Sequence, residues 1–252
     1  MEDDTKVRGA IMPNIYLIYT YMALVLFVFI ALPILLSFPE ARTGGLLTVY
    51  RIVRTAETFA ALANTLIHEL SHGLMAIVTG GKVHKITLHR DTSGLAITRT
   101  KRSRTIRALV AYAGYTGSSA AAVGLFYLLQ QGDYQTILLI FLGITAVSSL
   151  FWVRNLYGFL WAISFLLVIG YIVYKQYTVL ILHVSIFFSV VVLVDSITSA
   201  WTICKLSVTN RYEAGDATSL AEATFIPAAV WGAVFFGQAL YAGYYVMKTF
   251  VL

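Results

Sequence analysis

The chain has 252 residues, of which 59% are hydrophobic and 12% charged, with a mean hydropathy of +0.78. A soluble domain carries about 25% charged residues, so this composition excludes an ordinary water-soluble enzyme and selects a membrane protein. The net charge of +6 comes with no basic recognition helix or RNA-binding motif, which argues against nucleic acid as a partner; the single cysteine, Cys204, excludes an internal disulfide and a cysteine metal site.

Apolar stretches long enough to cross a bilayer, about 20 residues each, lie at 13–38, 56–79, 105–130, 135–152, 156–174, 178–203 and 220–250. The first follows Glu2, Asp3 and Asp4 and exceeds the apolar core of a signal peptide, so it is expected to remain as an accessory span. In lipid all these stretches should be helical, because the bilayer offers no partner to an open backbone. The expected fold is an all-α polytopic membrane protein of six to seven transmembrane helices, six if 135–174 is one re-entrant unit. Residues 1–252 are expected to form a single membrane-embedded domain.

Most of the 18 Lys and Arg fall on one side if the N-terminus is cytoplasmic, with Arg42, Arg51, Arg54, Lys175 and Lys248 left outside. That bias predicts a multi-pass protein with its N-terminus in the cytoplasm. The loop at 80–104 is the one long polar insertion. Its runs Val83–Leu88 and Leu95–Thr98 flank Asp91-Thr92-Ser93-Gly94, predicting a small cytoplasmic β-hairpin.

The chemistry is concentrated in the stretch 56–79, which contains His68-Glu69-Leu70-Ser71-His72. On a helix, residues four apart share a face, so the two imidazoles can hold one zinc ion while Glu69 flanks them. Zinc with three protein ligands activates water near neutral pH, and Glu69 is placed to act as general base and then general acid in peptide hydrolysis. Ionisable groups inside a membrane span are costly and point to function by default.

A third ligand must come from the remaining acids. Asp195, in the stretch 178–203, lies about 12 Å from the inner end of its span, and His72 lies about 10 Å from the inner end of its own. Asp195 is therefore the expected ligand. Asp216 is the alternative, and its competing reading is a surface helix cap. His183 sits at the outer end of its span, where a core hydrogen bond is expected; His84 and His89 belong to the solvated hairpin.

Taken together, His68-Glu69-Leu70-Ser71-His72-Gly73, Thr79-Gly80-Gly81, the polar hairpin and Ala113-Gly114-Tyr115-Thr116-Gly117-Ser118-Ser119 resemble the site-2 protease superfamily of intramembrane zinc metalloproteases. The likeness is strongest to its compact peptidase M50B-like branch without a PDZ domain. It extends to Val153–Gly158, to Asp216-Ala217 with Leu220-Ala221, and to Trp231. The resemblance implies Zn2+ as cofactor and a transmembrane protein or peptide as substrate, within the lipid bilayer. It also implies a role for Asn155 in steadying the substrate backbone, and binding of an unwound substrate segment as an added strand beside the hairpin. The Leu-Asp-Gly segment that supplies the third ligand in better-known members does not occur here. That departure keeps a second reading open, a catalytically silent membrane scaffold or regulator that retains the fold.

Overall fold

A computed structural model of the chain describes residues 15–35 and 44–252. Helix α1 (Ile15–Leu26) runs through a π-helical turn at Phe27–Ala31 into a short helix at Leu32–Leu35. The outer ends of the expected first span, 13–14 and 36–38, lie outside the described residues, as do Lys6, Arg8 and Arg42. Helix α2 (Gly44–Val78) carries the His-Glu motif in its C-terminal part. Strands β1 (Lys82–Leu88) and β2 (Gly94–Arg99) follow, then α3 (Arg104–Gln130), α4 (Tyr134–Phe151), α5 (Leu156–Tyr174), α6 (Thr178–Thr209), the short α7 (Gly215–Thr224) and α8 (Ala228–Val246).

The fold is mostly helical with one small sheet. Among the described residues, α3, α4, α5 and α6 are long and apolar enough to cross a membrane. These match the expected stretches 105–130, 135–152, 156–174 and 178–203. Helices α4 and α5 are separate, joined by the short non-helical segment Trp152–Asn155. Helix α2, which covers the stretch 56–79, does not reach the same apolar level. The expected stretch 220–250 is divided: Phe225 takes a left-handed conformation (φ 64°) and Pro227 precedes α8, so α7 is an independent short helix. Proline cannot continue a preceding helix but suits the entry to the next one.

Two apolar clusters hold the bundle. In the larger, Phe126, Phe141, Phe165 and Phe188 are buried, and the rings of Phe141 and Phe188 lie 5.3 Å apart. Trp161 Nε1 donates to the Phe59 carbonyl at 2.9 Å, tying α5 to α2. The smaller cluster joins α3, α6, α7 and α8 through Tyr115, Ala200, Ala217, Leu220 and Phe235. The motif on α2 sits where the two clusters meet. Outward, α5 exposes Leu156, Leu160, Leu167 and Val168, a surface suited to lipid. Tyr171 and Tyr174 gather around Lys175 at one end of that helix, the arrangement expected of an interfacial belt. Several hydroxyls within α6 return to their own helix, Ser189 Oγ donating to the Ser185 carbonyl and Thr202 Oγ1 to that of Thr198, while Ser185 Oγ donates to the Tyr134 carbonyl of α4. An apolar helix can carry hydroxyls in this way without leaving them unpaired.

The hairpin forms where its turn residues predict it. Ser93 donates to Asp91 Oδ1 from both its amide (3.1 Å) and its hydroxyl (2.6 Å), and these bonds hold the Asp91 carboxyl below its ordinary range. The strands pair antiparallel, Ile86 with Ala96 and Leu88 with Gly94, with a bulge near His84. The outer side of β1 is closed by the chain between α4 and α5: the Ile86 amide donates to the Trp152 carbonyl (2.7 Å) and the Arg154 amide to that of Ile86 (3.1 Å). Because Ile86 spends both backbone groups there, its partner Ala96 turns its own N–H and C=O outward, along the free edge of β2.

Candidate metal centre

The helical spacing of His68 and His72 brings their Nε2 atoms to 3.1 Å, with ring centroids 4.7 Å apart. Asp216 Oδ2 completes a triangle, 3.2 Å from His68 Nε2 and 3.1 Å from His72 Nε2. The orientation of His72 is fixed from behind: its Nδ1 donates to the Val110 carbonyl of α3 at 2.6 Å, which leaves Nε2 as a lone pair facing the triangle. A lone pair and a carboxylate oxygen 3.1 Å apart repel each other unless a proton or cation lies between them.

The donor set fits zinc. Four ligands placed tetrahedrally at about 2.0 Å from the metal are separated by about 3.3 Å, close to all three sides of this triangle. His68, His72 and Asp216 together form a possible metal site among the described residues.

The structure thus brings the alternative acid, Asp216, to the imidazoles. It does not bring Asp195. Asp216 lies in the first turn of α7, whose N-cap is Ala214, and makes no capping bond. Asp195 accepts a hydrogen bond from Asn64 Nδ2 at 2.8 Å and is not part of the triangle. Depth counted along straight spans placed Asp195 level with His72, but the break at Phe225–Pro227 frees α7 to carry Asp216 inward beside α3.

Glu69 is buried beside the triangle, at 6% exposure, against the Gly94 end of β2. Thr65, one turn earlier on α2, donates to the Thr92 carbonyl at 2.8 Å, which docks the hairpin on the motif helix. Gly94 is required for this fit: a Cβ there would lie 2.6 Å from Glu69 Oε1 and 2.8 Å from Thr65 Cγ2. Gly114 does the same on the other wall, where a Cβ would lie 2.6 Å from His68 Nε2. Next to it, the Tyr115 ring stands edge-on to His68, centroids 4.6 Å apart. The small residues of this segment, from Gly114 to Ala122, are expected from the sequence to let this helix approach the motif helix closely, and Gly114 makes that approach at the imidazoles themselves.

Asn155 is committed to the sheet. Its Nδ2 donates to the Leu88 carbonyl at 2.6 Å and its Oδ1 accepts from the Leu88 amide at 3.1 Å, continuing the ladder along β1. Both amide atoms are used, so Asn155 braces the hairpin instead of facing the triangle. His183 Nδ1 pairs with the Tyr21 hydroxyl at 2.9 Å, and His84 and His89 are exposed.

The triangle, Glu69 and the edge of β2 share one cavity of about 890 Å³, which extends along α2 and α6 past Asn64 and Asp195 to Arg54 and Glu57. Paired imidazoles on a helix, a carboxylate closing on them and a glutamate alongside make up the donor arrangement of a metallopeptidase. The chain belongs to the Peptidase M50B-like family, whose family model matches residues 21–246, and through it to the site-2 protease superfamily. No curated protein and no solved structure matches the chain.

Proposed function

We propose that the chain is an intramembrane zinc metalloendopeptidase that hydrolyses peptide bonds within or beside transmembrane segments of membrane proteins. The observation that carries this reading is the triangle of Nε2, Nε2 and Oδ2 atoms, 3.1–3.2 Å on a side, beside a buried glutamate. In the proposal His68, His72 and Asp216 hold Zn2+. Bound there, zinc supplies a Lewis acid that polarises the attacking water and the scissile carbonyl. Glu69 takes the proton of the attacking water on its carboxylate and delivers it to the leaving amine.

The free edge of β2 supports the choice of substrate. A helical transmembrane segment hides its carbonyls in its own hydrogen bonds, so it must unwind before attack. Once unwound, its backbone needs new partners. Gly94, Ala96 and Thr98 line the cavity with outward-facing backbone groups, and a peptide added alongside them passes over Glu69. Helices α2, α3, α6 and α7 and the hairpin all converge on this one cavity, which supports residues 1–252 acting as a single membrane-embedded unit. The cation bias supports a cytoplasmic N-terminus and a cytoplasmic hairpin.

The test is Glu69→Gln in the purified protein, reconstituted in lipid with a transmembrane peptide. Elemental analysis should find zinc near one per chain in both proteins, with cleavage only in the wild type. Full cleavage by the variant would sink the assignment, and a wild type that binds no zinc would favour the silent scaffold.

A further inference from the structure

Tyr115 is a buried tyrosine beside the triangle whose hydroxyl the reaction above does not use. It follows Gly114 on α3, and its ring packs against two others: edge-on to His68, and 4.6 Å from Phe235 of α8, centroid to centroid. The residue is 8% exposed and lines the cavity. A phenylalanine would fill the same space against both rings, so packing does not account for the hydroxyl. A buried tyrosine hydroxyl ordinarily finds a partner. This one makes no hydrogen bond among the described residues. Unlike Asn64 Oδ1 and Ser118 Oγ, which are unpaired and sealed off, it keeps surface open to the cavity. The carboxylates of Asp216, Glu69 and Asp195 all act on it electrostatically, which sets it at the metal-site end of that space. The other cavity-lining hydroxyls of the surrounding helices, on Thr65, Thr198, Ser199, Thr202 and Ser219, donate to backbone carbonyls. Tyr115 is the one left with a proton to offer.

We propose that the Tyr115 hydroxyl donates a hydrogen bond to the scissile carbonyl oxygen of the substrate, a bond that strengthens as this oxygen becomes an oxyanion. The assignment rests on the protease reading above and adds a catalytic residue to it. During attack the water oxygen bonds to the carbonyl carbon, the π pair of the C=O bond moves onto the carbonyl oxygen, and Glu69 takes the water proton. On collapse that pair restores the C=O bond, the C–N bond breaks with its electrons on nitrogen, and nitrogen takes the proton from Glu69. Tyr115 keeps its own proton throughout. The base and this donor stand on facing walls: Glu69 lies against Gly94 of the hairpin, Tyr115 beside Gly114 of α3. A peptide along the free edge of β2 is thus attacked from the Glu69 side while its carbonyl oxygen turns toward α3. Negative charge then develops close to the Asp216 carboxylate in a site with little water, where a fixed donor is worth far more than in bulk solvent.

The test is Tyr115→Phe, which removes the hydroxyl and keeps the ring. In lipid nanodiscs zinc should remain near one per chain and KM for a transmembrane peptide should stay within about threefold, while kcat falls about 10²–10³-fold. A second readout needs no turnover. A phosphinic peptide, whose tetrahedral phosphorus carries an anionic oxygen like that of the reacting carbon, is titrated beside its amide counterpart, the amide on a Glu69→Gln background so that it stays intact. Tyr115→Phe should weaken the phosphinic peptide at least about tenfold and leave the amide within about twofold. A ring that only props His68 predicts otherwise: either the variant matches the wild type, or zinc content and both affinities fall together. Each of those results overturns the assignment. Arg107, exposed on the cavity wall about 12 Å back along α3, is the rival donor. A selective loss of the phosphinic peptide in Arg107→Gln, with Tyr115→Phe silent, would give it the role instead. The two readings fail separately. A wild type that neither cleaves the peptide nor prefers the phosphinic form rejects the protease, and Tyr115 with it; a wild type that does both, matched by Tyr115→Phe, rejects Tyr115 alone.

Discussion

Asp216 and Asp195 line the same cavity, yet they differ in what holds them. Asp195 lies in the middle of α6, a helix of 32 residues, and its carboxylate meets an amide donor, Asn64 Nδ2. Asp216 lies in the first turn of α7, a helix of 10 residues set off by Phe225 and Pro227, and its carboxylate meets two imidazole nitrogens. A carboxylate opposite an amide needs no cation. One opposite two imidazole nitrogens, the nearer turned to it by the bond from Nδ1 to Val110, needs a proton or a cation between them. Burial alone does not mark a metal ligand; the neighbours' donor and acceptor roles do.

The largest test of this contrast is to remove each acid in turn. Asp216→Ala should abolish stoichiometric zinc and lower peptide cleavage by more than about 100-fold, beyond the usual cost of losing a group that merely supports a ligand. Asp195→Ala should keep zinc near one per chain by elemental analysis, and the reverse pattern would exchange the two assignments. Gly114→Val comes next. The added side chain would enter the space between α3 and the imidazoles, and α3 cannot retreat without breaking the bond from His72 to Val110. Zinc affinity should fall about 10–100-fold, read by competition with a chelator.

Gly94→Val sharpens the comparison from the hairpin side. It presses on Glu69 and Thr65 but not on the triangle, so zinc should remain while kcat drops by about 10²-fold, the lower range of a general-base contribution. A variant that lost zinc instead would show that the hairpin also supports the ligands. The smallest effect is expected of Asn155→Ala. It leaves the buried Leu88 amide and carbonyl unpaired, at about 1–3 kcal/mol, and should lower the melting temperature in detergent with zinc unchanged.

The parts of this site that the sequence reveals are those governed by local periodicity. His68, Glu69 and His72 are legible because four residues make one helical turn, and the hairpin because Asp91-Thr92-Ser93-Gly94 is turn chemistry between two β-rich runs. The third ligand was less legible. Counting depth assumes unbroken spans, and residues 220–250 read as one apolar stretch although Pro227 lies within it. That proline was the available signal that Asp216 belongs to a separate element. Other features depend on tertiary approach and leave no local trace: Gly94 against Glu69, the Val110 carbonyl behind His72, and the pairing of Asn64 with Asp195 across 131 residues. For Asn155 the resemblance suggested contact with substrate, whereas both of its amide atoms are engaged with Leu88.

The closure of β1 by Trp152, Arg154 and Asn155 has an effect beyond bracing. An exposed strand invites any other strand, including that of a neighbouring copy, and two-stranded hairpins are prone to stacking into ribbons. Here one flank is sealed by the chain itself, and the remaining flank, at Gly94, Ala96 and Thr98, borders the cavity. Pairing between copies is thereby limited to one flank, and in the proposed reaction that flank is the lane left for a visiting polypeptide.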